Sequence, residues 1–289
     1  MADLPPDAAG ARNPLDPDFV AVPTRAAATI ILVRRGGSAA SADERARLAS
    51  GSAGSARTQG AALAGGKGKP EDEAERAETP PGGVGVRGRG APHADRDLEV
   101  LMVRRNPQAR FMPGVWVFPG GGVEADELIA GVSAAETDVD ADELAHRAAA
   151  IRELGEEAGI TLEPGAELWL WSRWITPEPV PIRFDTRFYV ALAPAHSPPK
   201  PDGGETVDAG WFNPADALAR GEAGEMELVF PTIKHLESLL PFANAEEAIA
   251  AARERVVEPI MPNVVADEGS ELGWRMLLPG DPGYVPPEV

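Results

Sequence analysis

Apolar residues along this chain fall into short continuous blocks closed off by charge, and the blocks follow two different periods. Ala26–Arg35 (Ala-Ala-Ala-Thr-Ile-Ile-Leu-Val-Arg-Arg) and Leu98–Arg105 (Leu-Glu-Val-Leu-Met-Val-Arg-Arg) are strand-length runs that each end on two arginines. Runs of this length bounded by charge predict buried strands. Three more strands are predicted at Glu167–Thr176, Phe184–Ala193 and Val207–Phe212, and a short one at Trp274–Leu278. A helical period replaces the strand pattern at Ile151, Leu154 and Ala158, with Gly159 as a C-terminal stop and Asp140-Ala141-Asp142-Glu143 as a capping box at the start. Two further helices are expected at Phe230–Leu240, with Pro231 near its start, and at Asn244–Arg255, capped by Asn244 with Glu247 three residues on. Periodicity alone therefore gives a mixed α/β domain.

Long stretches lack either pattern. Residues 1–22 read as a flexible lead-in. Residues 36–97 are Gly, Ala, Ser, Arg and acidic residues with almost no large apolar side chain, and cannot bury enough surface to offset the entropy of ordering them, so disorder is expected. If the first two strands pair, this segment is an insertion at a hairpin tip, where added length costs little. Within it, Gly83-Val-Gly85-Val-Arg-Gly88 fits a dinucleotide fingerprint only as a string, without the strand before and helix after that the motif needs. Gly65–Lys69 fails as a phosphate loop because no Ser or Thr follows the lysines. There is no internal repeat.

Composition narrows the functional classes. With 289 residues, 31 Gly and 29 Pro, the chain suits one globular domain carrying long irregular segments. The absence of cysteine excludes disulfides, a thiolate zinc site and a cysteine nucleophile. A formal net charge of −19 opposes affinity for nucleic acid or an anionic membrane, so neither is an expected partner. The same charge means that an anionic substrate must be met by local arginines and metal ions. No apolar run is long enough to span a bilayer, the start is not a secretory signal and the C-terminal Pro-Glu-Val is not a peroxisomal address. A cytoplasmic location is the expectation.

The candidate chemistry centres on Arg152-Glu153-Leu154-Gly155-Glu156-Glu157-Ala158-Gly159-Ile160. On a helix, Glu153, Glu156 and Glu157 share one face at spacings of three and four residues. Such a cluster is either a solvated acidic face or a set of oxygen donors for a hard divalent cation, Mg²⁺ or Mn²⁺. Arg152, one turn before Glu156, is placed to orient it. Upstream lies the turn-rich Phe118-Pro119-Gly120-Gly121-Gly122-Val123-Glu124, followed by a further carboxylate at Glu127.

These residues resemble the Nudix hydrolase signature, which runs Gly, five residues, Glu, seven residues, then Arg-Glu-aliphatic-x-Glu-Glu-x-Gly-aliphatic. Gly121 and Glu127 have five residues between them, and Arg152–Ile160 matches every fixed position of the second half. The departure is in the middle, where twenty-four residues separate Glu127 from Arg152, a surplus of seventeen that is expected to sit in the loop before the helix. A narrower resemblance is to the coenzyme A diphosphatases of the superfamily, which carry Leu-Leu-Thr-x-Arg-Ser-x3-Arg-x3-Gly-x3-Phe-Pro-Gly-Gly before the box, and some of which have such an insertion. Here Arg105, Arg110, Gly114 and Phe118-Pro119-Gly120-Gly121 hold the spacing, whereas Met102, Val103 and Asn106 depart from it. Trp174-Ile-Thr176-Pro177 and Arg183-Phe-Asp-Thr-Arg187-Phe188 also look like that branch.

The resemblance implies an α/β/α sandwich with a mixed β-sheet over roughly residues 23–240. The domain is set at 23–245, interrupted by 36–97, with a C-terminal helix and a Pro/Gly-rich tail over 246–289. It further implies metal ligation by Glu153, Glu156 and Glu157 with the Gly120 carbonyl, Arg152 as the residue that orients them, and Glu153 or Glu205 as general base. Glu205, on the Gly203-Gly204 loop, reads equally as a surface glutamate. Arg105 and Arg110 suit phosphate oxygens through the guanidinium fork, or else pair with surface carboxylates; Gly114, Arg183 and Arg187 are further candidates for the substrate side. Trp169, Trp171 and Trp174 are either core or an aromatic wall, and His235, among Ile233, Leu236 and Leu239, is a structural or surface histidine and not a catalyst. The expected activity is Mg²⁺- or Mn²⁺-dependent cleavage of coenzyme A or acyl-CoA, a small-molecule nucleotide substrate. NADH, ADP-ribose or a nucleotide sugar are alternative substrates, and a non-catalytic nucleotide sensor or a scaffold acting through residues 36–97 are alternative functions. Members of the superfamily are often homodimers, though no feature of the sequence marks an interface.

Overall fold

The run Arg25–Arg35 forms strand β1, and the rest of the sheet is assembled on its two edges. The computed structural model describes residues 22–36, 97–128, 140–163, 165–178, 180, 182–267 and 274–287. The expected disorder of residues 1–22 and 36–97 concerns segments almost wholly outside the described residues, and of the stretch between Glu127 and Arg152 residues 129–139 lie outside them, while Asp140 caps a helix that continues through Arg152. β2 (Leu98–Arg105) pairs antiparallel with β1, but only through Val33↔Val100, Arg34↔Glu99 and Arg35↔Leu98. Beyond that the two strands part. β3 (Trp116–Val117) takes the free edge of β2, and β4 (Gly120–Gly122) takes that of β1, with Ala27 to Thr29 opposite Gly122 to Gly120. The Ile30 N–H donates to the Pro119 carbonyl at 2.9 Å and completes the wedge. A glycine stretch that reads as a turn in the sequence is thus a short strand, because β1 lends it an edge.

On its other edge β1 runs parallel to β6 (Phe184–Leu192), and β5 (Trp169–Ile175) follows antiparallel to β6. β7 (Thr206–Phe212) pairs antiparallel with β2. The sheet is therefore mixed. Alternation along the strands sends Ala28, Ile30, Leu32, Leu101 and Val103 to one face, where Ala149, Ala150, Leu154 and Ala158 of helix α1 (Ala141–Ala158) cover them. Ile31, Val33, Val100 and Met102 point to the opposite face, beneath α2 (Pro214–Glu222), α3 (Phe230–Leu239) and α4 (Ala245–Arg253). Helices on both faces of a mixed sheet give the expected α/β/α sandwich.

The helix after β7 and two strands of the C-terminal segment escape the sequence reading, whereas the helix expected at Asn244–Arg255 and the strand expected at Trp274–Leu278 are present. α2 is opened by Asn213, whose side chain accepts from the Ala215 N–H. Beyond the limit drawn at 245, α4 buries Ala248, Ile249 and Ala252 in the core, and β8 (Pro259–Ile260) joins the main sheet beside β5. β9 (Asn263–Ala266) pairs with β10 (Trp274–Leu277) as a separate antiparallel ribbon. The capping box also differs from its expected form: Asp140 accepts from the Asp142 N–H at 3.3 Å. Glu143 turns away to accept from Arg147 and Arg187 and from the Tyr189 hydroxyl. Among the described residues no helix is long and apolar enough to cross a membrane.

Candidate active site

α1 packs its alanines and Leu154 on the sheet, and this rotation brings Glu153 and Glu157, one turn apart, to the flank that meets β4. The approach is possible only because β4 has no side chains. A Cβ at Gly121 would stand 2.0 Å from a Glu153 carboxylate oxygen, and one at Gly120 would stand 2.4 Å from Thr29 Oγ1. With those positions bare, the Gly120 N–H donates to Glu157 Oε2 at 3.0 Å.

Arg152 gathers the remaining parts. Its Nε donates to Glu127 Oε1, its Nη1 to Glu153 Oε1 and Glu156 Oε2, and its Nη2 to the Gly122 carbonyl, each at 2.9 Å. Glu127 therefore reaches the position its half of the motif implies despite the long separation from Arg152. Its carboxylate also accepts from the Glu124 N–H at 2.7 Å, at the start of a helical turn over residues 125–128. Burial lowers the Arg152 affinity for its proton, but the surrounding carboxylates more than reverse this and hold the guanidinium charged.

The inner carboxylates are crowded. Burial pushes Glu157 up to about 7; Glu153 and Glu205 add to the rise, while the Gly120 N–H and Arg105 oppose it. Glu153 is raised for the same first reason, against the pull of Arg152. Arg105 Nη1 lies 3.9 Å from Glu157 Oε1. Burial that raises these pKa values disfavours the ionised carboxylates, a cost that a cation beside them would offset. Carboxylate oxygens are the donors a hard divalent ion takes, and Glu153, Glu157 and Glu205 line one cavity. Glu156 is exposed and engaged by Arg152, and among the described residues no three acidic or histidine side chains already converge as a finished ligand set.

Glu205 is presented by a loop that the sequence reading did not resolve. The Asp202 carboxylate accepts from the N–H groups of Gly204, Glu205 and Thr206. Asn106 donates its side-chain amide to the Gly204 carbonyl at 2.7 Å and its N–H to the Glu205 carbonyl at 2.8 Å. Thr206 donates its hydroxyl to the Glu157 carbonyl at 2.7 Å. The Asp202-Gly203 pair is the one sequence cue for this turn, since a short acceptor beside glycine can bond the backbone two to four residues on. Nothing in the sequence marks Thr206.

Glu153, Glu157, Glu205, Arg105 and Arg110 open on one cavity of about 680 Å³. Its far walls are apolar and include Phe111, Met112, Trp174, Phe184 and Phe230. Met112 has a left-handed φ of 49°, which no sequence cue indicates. Of the three tryptophans, Trp171 is core and Trp174 is wall. Three expected substrate contacts fall elsewhere. Gly114 is a turn residue with φ 77°, and its carbonyl accepts from Arg104. Arg183 is buried and donates to the carbonyls of Thr176 and Val22. Arg187 pairs with Asp142 and Glu143 beneath the start of α1. His235 is structural, as expected, packed at 4.0 Å against the Phe188 ring.

Comparison with known proteins agrees with this geometry. The sequence profile of the NUDIX domain matches residues 86–232, half of the chain. A putative nudix hydrolase 7 of Caenorhabditis elegans is 26% identical, over 64% of this chain and 70% of its own length. Acyl-coenzyme A diphosphatase NUDT19 of Gallus gallus is 25% identical over 65% of this chain and 73% of its own. The Homo sapiens protein of that name is 23% identical over 65% and 72%. The crystal structure of a NUDIX hydrolase from Alicyclobacillus acidocaldarius shares the fold, with a TM-score of 0.53 and 24% identity over 79% of this chain and 96% of that one. With its arginine-held glutamates folded onto a glycine strand and its profile matched across them, the chain belongs to the Nudix hydrolase family.

Proposed function

We propose that this protein is a divalent-metal-dependent diphosphatase of coenzyme A or acyl-CoA, releasing 3′,5′-ADP and 4′-phosphopantetheine or its acyl form. The observation that carries this reading is the single cavity in which Glu153, Glu157 and Glu205 face Arg105 and Arg110, ahead of apolar walls. The spacing of Arg105, Arg110 and Phe118-Pro119-Gly120-Gly121, and the distant similarity to proteins named acyl-CoA diphosphatases, support the choice of substrate.

Hydrolysis forms a bond from water oxygen to one phosphorus of the diphosphate and breaks the bond from that phosphorus to the bridging oxygen, which leaves on the other phosphate. Mg²⁺ or Mn²⁺ held by Glu153, Glu157 and Glu205 would neutralise charge on the phosphoryl oxygens and make a bound water more acidic. Glu153 or Glu205 accepts the water proton. Arg105 and Arg110 bind phosphate oxygens outside this cluster, and Arg110, exposed at the cavity edge, is free to close on the ligand. Arg152 keeps its glutamates aligned.

Product analysis by mass spectrometry tests this, with Mg²⁺ and a panel of coenzyme A, an acyl-CoA, NADH, ADP-ribose and a nucleotide sugar. The expected product from coenzyme A is 3′,5′-ADP, with the rate lowered about 100-fold or more in Glu157→Gln. Cleavage of another panel member with coenzyme A left intact overturns the substrate, and equal rates with and without the divalent ion overturn the metal.

A further inference from the structure

The loop that carries Arg110 and the loop that carries Glu205 come from distant parts of the chain and meet at one side chain. β2 and β7 pair as far as Arg104 and Asp208; the ladder then passes over Val207 and resumes with Arg105 opposite Thr206. A bulge of this kind bends the strand that bears it and re-aims what lies beyond. Past it, the Asn106 N–H donates to the Glu205 carbonyl at 2.8 Å, and Asn106 Nδ2 donates to the Gly204 carbonyl at 2.7 Å.

The other arm of the same amide serves the arginine loop. Asn106 Oδ1 accepts from the Gln108 N–H at 2.8 Å, and the Asn106 carbonyl accepts from the Ala109 N–H at 2.9 Å. These bonds fold residues 106–109 into an Asx turn. Arg105 Nε then donates to the Phe111 carbonyl at 3.3 Å and closes the loop. Arg110 and Phe111, which follow the turn, line the cavity together with Glu205, whereas Asn106 does not. In the sequence pattern that Arg105 and Arg110 keep, this position is Ser. A Ser hydroxyl can cap residue 108 but stops a bond short of the Gly204 carbonyl.

We propose that Asn106 is a positioning residue that couples the two loops, so that one side chain sets both the arginine that binds phosphate and the glutamate that serves the hydrolytic water. This rests on the roles given to Arg110 and Glu205 above and adds a residue that acts only through them.

The test is steady-state kinetics on whichever member of the substrate panel is cleaved, so that failure of the coenzyme A assignment is told apart from failure of the coupling. Asn106→Ser removes the bond to the Glu205 loop alone and should lower kcat about tenfold, with KM changed less than about threefold. Asn106→Ala removes both arms and should lower kcat as much while raising KM about fivefold. In a Glu205→Gln background Asn106→Ser should change kcat less than about twofold, and in an Arg110→Ala background Asn106→Ala should raise KM less than about twofold, because the group acted through is already gone. A residue that only stabilises the fold would cost the same factor in every background, and that result overturns the proposal. So does an Asn106→Ser enzyme equal to wild type, or a Glu205→Gln enzyme with wild-type kcat. If no panel member is cleaved, the hydrolase reading fails by itself and amide hydrogen exchange decides. Asn106→Ser should then speed exchange about tenfold at Glu205 and Thr206 while sparing Gln108 and Ala109, and Asn106→Ala should speed all four. Unchanged exchange at Glu205 and Thr206 in Asn106→Ser overturns the coupling.

Discussion

A single guanidinium, that of Arg152, organises carboxylates from two parts of the chain, and a lysine at that position would offer one point charge in place of the planar fork. Elsewhere at this scale a neutral side chain matters as much. His235 lies between the Pro231 carbonyl at Nδ1 and the Ser172 hydroxyl at Nε2, both at 2.6 Å, so the ring is neutral with its proton on Nδ1. Burial, against the pull of the Pro231 carbonyl and with a smaller push from Arg255, lowers its pKa from 6.5 to about 4. Between these values the unfolded chain binds the proton and the folded one does not. Stability must therefore fall as pH falls from 6.5 towards 4, by up to about 3 kcal/mol. Urea unfolding at pH 7 and pH 4.5 measures this, and His235→Phe, which has no proton to bind, should show a smaller loss between the two.

At the scale of elements, the site depends on loops held by few bonds. Asp202 and Asn106 fix the Glu205 loop against the end of β2, and neither needs to touch substrate to matter. Asp202→Ala removes the acceptor for three backbone N–H groups, so Glu205 loses its fixed position. On the proposed role of Glu205 as general base or ligand, steady-state kinetics should show kcat lowered about tenfold with KM changed less than threefold, since its displacement acts on the reaction more than on binding. These loops also mark where the sequence stopped being readable. Long apolar runs such as Leu98–Arg105 and Phe184–Leu192 announce strands because they need no partner to be recognised. β4 is three glycines, and becomes a strand only when β1 diverges from β2 and exposes an edge. Arg183 begins a strand region in the sequence like any surface arginine; its burial follows from Val22 and Met261, which come from opposite ends of the chain. The Arg152–Ile160 cluster was legible since all its chemistry lies within one helix.

At the scale of the molecule, the β1 hairpin shows how a long segment is accommodated. The Gly36 N–H donates to the Asp97 carbonyl and Arg35 stands opposite Leu98, so the chain leaves and re-enters the fold at one point. Replacing residues 37–96 with an Asn-Gly turn should leave kcat/KM within about twofold and the melting temperature unchanged or higher, as closing a shorter loop costs less entropy. Circular dichroism and the diphosphatase assay check both. β1 itself lies outside the matched family segment, yet it contacts β2, β4 and β6 and supplies Ala27 and Thr29 to the cavity. The glutamates held by Arg152 and the strand beneath them are thus encoded on opposite sides of residues 37–96. Cutting the protein there would yield two inactive pieces, the smaller contributing one central strand, whose reassembly restores hydrolysis. In this enzyme the natural place to build a split reporter is already present in the gene.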